Sequence, residues 1–270
     1  MSKQLQFSGL WAVVLGGSSG FGLAAVEKLS ANGMNIAVLY REPSAQAKKA
    51  NEAFTSLAIK NSVKILSYNL NVLDAASRES FVKEFATPDK LGKVKLLLHS
   101  VARGNLKPLV APKGSDAEPS LLSTEDIQMT TYAMSNSLLD WARDILSAGL
   151  FHADGRIIGL TSEGAFKHWE SYAAVGIAKA SLQSLITYMA VEFAAYGIKT
   201  NLIQAGITNT AALQKIPGSD KLIEVASTRN PLQRMTQPGD VAGVIYLLCT
   251  DEAAWINGAH IHVDGGEHCR

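Results

Sequence analysis

Short apolar runs alternate with longer stretches of helical periodicity along the whole chain. The runs Trp11–Leu15, Asn35–Tyr40, Val63–Ser67, Val94–His99, Arg156–Leu160, Lys199–Gln204 and His260–Val263 read as strands. Most are almost continuously apolar, as strands of a parallel sheet covered on both faces must be. Helices are predicted between them, over Gly20–Ala31, Ala45–Asn61, Asp74–Phe85, Thr124–Ser147, Ser171–Ala195 and Asp240–Cys249. Strand and helix in alternation, joined by right-handed crossovers, predict an α/β fold. The expected architecture is a doubly wound parallel sheet of about seven strands with helices on both faces.

No repeat or linker divides the pattern, so residues 1–270 are expected to form a single domain. Two segments break the rhythm. Residues 104–123 contain Pro108, Pro112, Gly114 and Pro119, and residues 206–230 contain Pro217-Gly218-Ser219-Asp220 and a short amphipathic stretch, Asp220–Thr228. Both follow C-terminal ends of strands, where open α/β sheets bind ligands, and they read as substrate-side loops. A plain surface insertion is the alternative for the first. Ser123 is placed to cap the next helix, with Glu125 and Asp126 in its first turn.

Composition narrows the class. A chain of 270 residues with 47% hydrophobic and 18% charged residues suits one globular domain with a substantial core. A net charge of +1 leaves no basic surplus for nucleic acid. The two cysteines, Cys249 and Cys269, form neither a disulfide framework nor a zinc pattern. No uninterrupted apolar run approaches about 18 residues, and the start Met-Ser-Lys-Gln-Leu-Gln has no signal core, so a cytoplasmic location away from membranes is expected.

The turn Gly16-Gly17-Ser18-Ser19-Gly20-Phe21-Gly22 joins the first strand to the first helix. Gly16, Gly20 and Gly22 let the backbone turn tightly and approach a pyrophosphate at a helix N-terminus. Ser18 and Ser19 add hydroxyl donors, and Phe21 lies inside the turn. This context predicts a dinucleotide cofactor on a Rossmann-type sheet. Arg41 directly follows the second strand, where a cation neutralises a 2′-phosphate and an acid accepts from a 2′-hydroxyl. Arg41 favours NADPH, and the neighbouring Glu42, if turned inward, would count toward NADH instead.

Tyr172 precedes Lys179 by seven residues. Seven residues of helix rotate roughly 700°, within about 20° of the starting face, so a tyrosine and a lysine at this spacing share one cleft. A tyrosine four residues before the lysine would lie on nearly the same face, about one turn along the axis. Val175 occupies that position.

With this glycine turn, Lys179 in a long helix, and Val263-Asp264-Gly265-Gly266 near the end, the chain resembles the short-chain dehydrogenase/reductase family over nearly its whole length. Ile198-Lys199-Thr200-Asn201 and Pro238-Gly239-Asp240-Val241 also match. Ordinary members carry Tyr-x-x-x-Lys and a serine 13 residues before the tyrosine. Here the serine is kept, as Ser162, and the tyrosine is lost, as Val175. Tyr-x6-Lys, His99-Ser100, and Gln204-Ala205-Gly206-Ile207-Thr208-Asn209-Thr210 resemble the enoyl-acyl-carrier-protein reductase branch. Serine at 162, where one group carries a second tyrosine, is similar to the NADPH-dependent variants.

The resemblance implies reduction of a trans-2-enoyl thioester, carried on acyl carrier protein or CoA, in fatty-acid synthesis. Tyr172 would donate to the enolate oxygen, Lys179 would hold the nicotinamide ribose, and Ser162 would add a donor or shape the pocket. Ser100, Ile207, Thr208 and Thr210 would meet the cofactor's nicotinamide half and phosphates, and Asn71 its adenine. The asparagine of the ordinary proton relay falls at Met134, as in the enoyl branch. The apolar residues of the helix at 178–195 cover more than one stripe, and the resemblance implies a homotetramer built on this helix and the preceding one. A ketone reductase and a catalytically silent dinucleotide sensor are the competing readings.

Other candidates are weaker. His99 is at most a cofactor neighbour, and His260 and His262 share a strand face without a third metal ligand. Arg103, Lys107, Lys215 and Lys221 offer cations for an acidic carrier or CoA, against the default of exposed loop charges. Trp141, Trp169 and Trp255 are expected to pack, with Phe166 and Trp169 also candidates for an acyl channel.

Overall fold

The computed structural model describes residues 6–111, 113 and 120–270. Pro112, Gly114 and Pro119 of the first predicted loop lie outside the described residues, as do the first five residues. Seven strands form one parallel sheet in the order β3-β2-β1-β4-β5-β6-β7. They are β1 Trp11–Leu15, β2 Asn35–Tyr40, β3 Ile65–Asn69, β4 Val94–His99, β5 Phe151–Thr161, β6 Lys199–Ala205 and β7 His260–Val263. The order reverses between β1 and β4, which opens a crevice above their C-terminal ends.

Among the described residues the α-helices are α1 Gly20–Ser30, α2 Ser44–Asn61, α3 Ala75–Phe85, α4 Thr124–Thr131, α5 Ser137–Ser147, α6 Ala173–Glu192, α7 Ser219–Arg229 and α8 Pro238–Cys249. Two apolar layers sandwich the sheet. Val13 and Leu15 join Phe81, Trp141 and Leu182 on the α3/α5/α6 side, while Ala12 and Val14 join Val26, Phe54 and Ile245 on the α1/α2/α8 side. Alternate residues of β1 thus feed opposite cores, which is why the run is apolar without a break.

Several boundaries differ from expectation. β3 begins at Ile65, because Ser62 adopts a left-handed conformation (φ +54°) and Val63 N–H closes the end of α2 by donating to Ala58 O. β5 starts at Phe151, with a register shift against β4 between Val94 and Leu96, which pair with Phe151 and Arg156. The helix expected over Thr124–Ser147 is interrupted by a π-helical segment, Tyr132–Asn136. Ser137 Oγ donates there to Ala133 O at 3.1 Å. Ser123 caps α4 as expected, in a reciprocal box with Asp126.

The tryptophans part company. Trp141 is fully buried and donates to Val72 O at 2.8 Å, whereas Trp255 is 98% exposed, contrary to the expectation that it packs. Residues Ala173–Tyr196 form a stretch long and apolar enough to cross a membrane by length and composition, yet half of it is buried within this fold. Its outer side exposes Ile177, Tyr188 and Val191, the second apolar face that the sequence suggested.

Candidate active site

The loops after β1, β4, β5 and β6 converge on a cleft of about 600 Å³ at the crevice. The glycine turn forms one end. Gly16 has φ +83°, and a side chain there would drive its Cβ to 2.4 Å from Ser100 O, so only glycine lets the two strand ends meet. Ser18, Ser19, Gly20 and Phe21 line the cleft with Gly16. Gly22 does not line it; its Cβ would lie 2.2 Å from Gly16 O, so its role is to seat α1 against the turn. Ser19 starts α1 without a side-chain cap, which leaves helix N–H groups for an anion. Thr210 stands beside Gly20, 3.6 Å from where a Cβ would sit. Its own hydroxyl accepts from Leu213 N–H at 3.2 Å. A cradle of this shape fits a dinucleotide pyrophosphate.

Arg41, Glu42 and Asn71 line the cleft at the β2 and β3 side. Glu42 does turn inward: Ser18 Oγ donates to its carboxylate at 2.8 Å. Arg41 is exposed, and no carboxylate pairs with it among the described residues. Asn71 accepts from Leu73 N–H at 3.3 Å, which fixes its side chain at the start of the turn into α3.

At the other end, Ser162 follows β5 and Tyr172 sits at the N-cap of α6. Tyr172 lies just before the helix, not within it; Ser171, in a left-handed conformation (φ +56°), turns the chain so that the ring enters the cleft. The Tyr172 and Ser162 hydroxyls are 3.3 Å apart. The ring packs tightly on Gly164, where a Cβ would lie 2.5 Å from Cε1, and Trp169 lies 5.3 Å from it, centroid to centroid. Burial raises the Tyr172 hydroxyl above its ordinary pKa, with the Ser162 hydrogen bond opposing, so it remains a proton donor at neutral pH.

Lys179, one helical stretch further, is buried and donates to Leu160 O at 2.7 Å. Burial pulls its pKa down to about 8. Val175 is buried between them, and Gly104 packs on it so closely that a Cβ would lie 2.9 Å from Val175 Cγ2. Val175, Met134, Ile207, Leu213 and Ile216 form an apolar cluster with the Tyr172 ring, and Leu106 and Trp169 pack against it.

Ile207 and Thr208 are buried at the cleft floor, and Thr208 Oγ1 donates to Gly206 O at 3.0 Å. Three residues without a sequence signal join them. Glu163, next to Ser162, accepts both terminal nitrogens of Arg229 and Lys167 Nζ at 2.9 Å. Glu267 accepts from Ile207 N–H at 3.1 Å. Burial raises the Glu267 carboxyl, while hydrogen bonds from Arg229 hold Glu163 below its usual range despite burial.

The remaining candidates stand apart. His99 is buried beneath the cleft with Nε2 2.9 Å from Ser137 Oγ. His260, His262 and His268 stack on one another at the sheet edge. Lys107 pairs with Asp126 at 2.7 Å and so is not a free cation. Arg103 and Lys215 are exposed at the cleft margin, Lys221 is exposed on α7, and Phe166 is 58% exposed.

A family model described as enoyl-(acyl carrier protein) reductase matches residues 16–268. A tropinone reductase homolog of Arabidopsis thaliana is 27% identical over 270 residues, covering 98% of this chain and 96% of its own. The NADH enoyl-[acyl-carrier-protein] reductase of Aquifex aeolicus is 31% identical over 179 residues, 66% of this chain and 63% of its own. The crystal structure of the NADH enoyl-[acyl-carrier-protein] reductase from Aquifex aeolicus VF5 superposes with a TM-score of 0.82 at 26% identity, covering 98% of both chains.

Proposed function

The chain belongs to the short-chain dehydrogenase/reductase family, through its enoyl-(acyl carrier protein) reductase model, and from that premise we propose that it reduces the carbon–carbon double bond of a 2-enoyl thioester with NADPH. One observation carries the choice of bond. Among the described residues the tyrosine beside Ser162 in the cleft is Tyr172, and the ordinary tyrosine position holds Val175, closed over by Gly104. In ketone reduction the acid must face the oxygen on the carbon that takes hydride. In an enoyl thioester, negative charge collects on the thioester oxygen, two atoms further along, which suits an acid displaced along the cleft.

When bound, reduced nicotinamide supplies hydride to the β-carbon. Tyr172 donates its hydroxyl hydrogen bond to the thioester oxygen, where charge develops, and the enolate then takes a proton from water at the α-carbon to give the saturated thioester. Ser162, hydrogen-bonded to the Tyr172 hydroxyl, orients that donor or contributes a second one. Lys179, in its charged form, binds ribose hydroxyls and favours the anion through the low-dielectric interior. The glycine turn and the N-terminus of α1 would hold the pyrophosphate, and the cleft-lining Asn71 and Ser100 would border the adenine and nicotinamide halves. Leu106, Leu213 and Ile216 exclude water and receive the acyl chain.

NADPH is preferred in this reading because Arg41 is unpaired at the position that meets a 2′-phosphate; the bond from Ser18 to Glu42 is what favours NADH. Both cysteines are free, Cys249 buried and Cys269 exposed, which suits the reducing cytoplasm proposed here. The exposed Ile177, Tyr188 and Val191 of α6 are proposed to be covered by a second subunit of a homotetramer. Light scattering at micromolar protein tests that assembly.

The discriminating experiment is a panel of crotonyl thioester, 3-oxoacyl thioester and simple ketones, followed by NADPH absorbance. Turnover of the enoyl thioester alone supports the proposal. Turnover of ketones alone would replace it with ketone reduction, the reading that the tropinone reductase homolog and the retained Ser162 favour. Tight NADPH binding with no turnover on the panel would leave a dinucleotide sensor.

A further inference from the structure

Two carboxylates that line the cleft, Glu163 and Glu267, meet helix α7 on one guanidinium. Arg229, the last residue of α7, donates from both terminal nitrogens to Glu163, directly behind Ser162. The same guanidinium lies 3.6 Å from a carboxylate oxygen of Glu267 and 3.4 Å from its backbone O. Glu267 in turn holds the Ile207 N–H at 3.1 Å, and Gly206 leaves no room for a Cβ beside that carboxylate. Glu163 and Glu267 are 5% and 2% exposed, so this is an interior connection and not a surface pair.

Helix α7 meets the cleft through an apolar face: Ala226 belongs to the Tyr172 cluster, and Leu222 and Ile223 pack against it. Among its described side chains only Ser219 and Ala226 are buried. The neighbouring Asn230 fastens the chain just beyond the helix, donating to Asp264 O at 2.7 Å. Those apolar contacts seat the body of α7, and the Arg229 contacts fix its C-terminal end in register with Glu163 and Glu267. A planar guanidinium that satisfies one carboxylate through two nitrogens while touching a second fixes both distance and angle, which a lysine in its place does not.

We propose that Arg229 is a positioning residue that locks helix α7 to Glu163 behind the Ser162–Tyr172 pair and, through Glu267, to the cofactor-side backbone at Ile207. The lock rests on the reading of that cleft as the reductase site. It makes the acyl side and the cofactor side of the cleft one rigid frame, so a substrate that fills the acyl side tightens the Ile207–Thr208 floor. Lys167 donates at 2.9 Å to Glu163 Oε2, which it shares with Arg229, and helps keep the carboxylate charged.

The test uses the full-length protein and the variants Arg229→Gln, Arg229→Lys, Glu163→Gln and the double variant Glu163→Gln/Arg229→Gln. Hydrogen–deuterium exchange of the free protein needs no substrate. In Arg229→Gln, residues 206–230 are expected to exchange about tenfold faster while the sheet strands keep wild-type protection. Arg229→Lys is expected to restore part of that protection, and the double variant to match the single ones. With crotonyl thioester, KM is expected to rise by about tenfold and kcat to fall by less. Wild-type exchange at 206–230 in Arg229→Gln, equal loss of protection across the sheet, or additive effects in the double variant would each overturn the lock. Should the wild type reduce no thioester, the reaction reading fails alone, because the exchange results still judge the lock.

Discussion

The Tyr172 hydroxyl lies 3.3 Å from the Ser162 hydroxyl, across a turn that Gly164 makes close enough for the ring to lie flat against it. Two donors at that separation can meet one oxygen. Tyr172→Phe removes the donor that burial keeps protonated, and is expected to lower kcat by roughly 100- to 1000-fold, the range for losing one oxyanion donor. Ser162→Ala leaves Tyr172 in place and should cost less, about tenfold, if it only orients the phenol. NADPH binding, followed by fluorescence titration, should survive both changes. A Tyr172→Phe enzyme with wild-type kcat would remove the tyrosine from the reaction.

Lys179 gives the site a basic limit. Its pKa is lowered from 10.5 to about 8 by burial, and the reaction uses the charged form. The kcat/KM of the enzyme is therefore expected to fall as pH rises through about 8, and a profile flat to pH 10 would contradict this. Stability runs the other way. Between about 8 and 10.5 the unfolded chain holds a proton that the folded lysine has lost, so this residue's contribution to stability increases with pH across that window. Denaturant titrations of the wild type and Lys179→Met across pH 7 to 10 should show the difference in slope.

Most of this frame is legible in the residues, for physical reasons. A buried parallel strand is apolar on both faces, so β1, β2 and β4 are found to the residue. Gly16 and Ser162 reveal themselves through local spacing to a strand, and Tyr172 through spacing to Lys179. Glu163, Arg229 and Glu267 carry no such signal: the first two are 66 residues apart, and only the fold brings them together. The π-helical segment at Tyr132–Asn136 is equally silent, because the residue it inserts keeps Met134 at the cleft while Leu138 and Trp141 still face the sheet.

Arg41 and Glu42 should trade cofactor preference between them. Arg41 is unpaired among the described residues, while Glu42 takes the Ser18 hydroxyl at 2.8 Å. A hydrogen bond to a charged group is worth about 1.5–3 kcal/mol, so Arg41→Ala is expected to raise KM for NADPH by roughly 10- to 100-fold with little change for NADH. Glu42→Gln removes the charge that repels a 2′-phosphate and should shift preference further toward NADPH. The ratio of kcat/KM for the two cofactors is the measurement. An unchanged ratio in Arg41→Ala would mean that the phosphate is read elsewhere or not at all.

Asp154 is the electrostatic keystone at the opposite end of the sheet. Its carboxylate receives Arg156 through both terminal nitrogens (2.6 and 3.0 Å), Lys95 at 2.5 Å and Lys199 at 2.6 Å. Those hydrogen bonds hold it well below the ordinary carboxylate range. Lys95 and Arg156 are buried, at 3% and 0% exposure, so Asp154→Asn would leave two buried cations facing a neutral amide. Breaking such a pair is expected to cost about 3 kcal/mol or more, read as a drop in the urea midpoint at pH 7. The cleft is far from this change, so NADPH affinity should stay within about twofold below the transition.

His99 sets the acid limit of the fold. Ser137 has one hydroxyl hydrogen, which goes to Ala133 O at 3.1 Å, so His99 Nε2 is the donor across the 2.9 Å contact. Nδ1 then has no partner among the described residues and the ring stays neutral. Burial first, and Lys179 second, lower its pKa from 6.5 to about 3. Below pH 6.5 the unfolded chain therefore takes up a proton that the folded chain refuses until about pH 3. Stability falls as pH drops through that window, by roughly 1.4 kcal/mol per pH unit where the difference is a full proton. His99→Leu keeps the Ser137–Ala133 bond, fills a similar volume and cannot be protonated. Its stability should lie below that of the wild type at pH 7.5 yet decline less steeply from pH 6.5 to 4. Parallel denaturation profiles for the two proteins over that range would show that His99 is not the group whose protonation unfolds the chain.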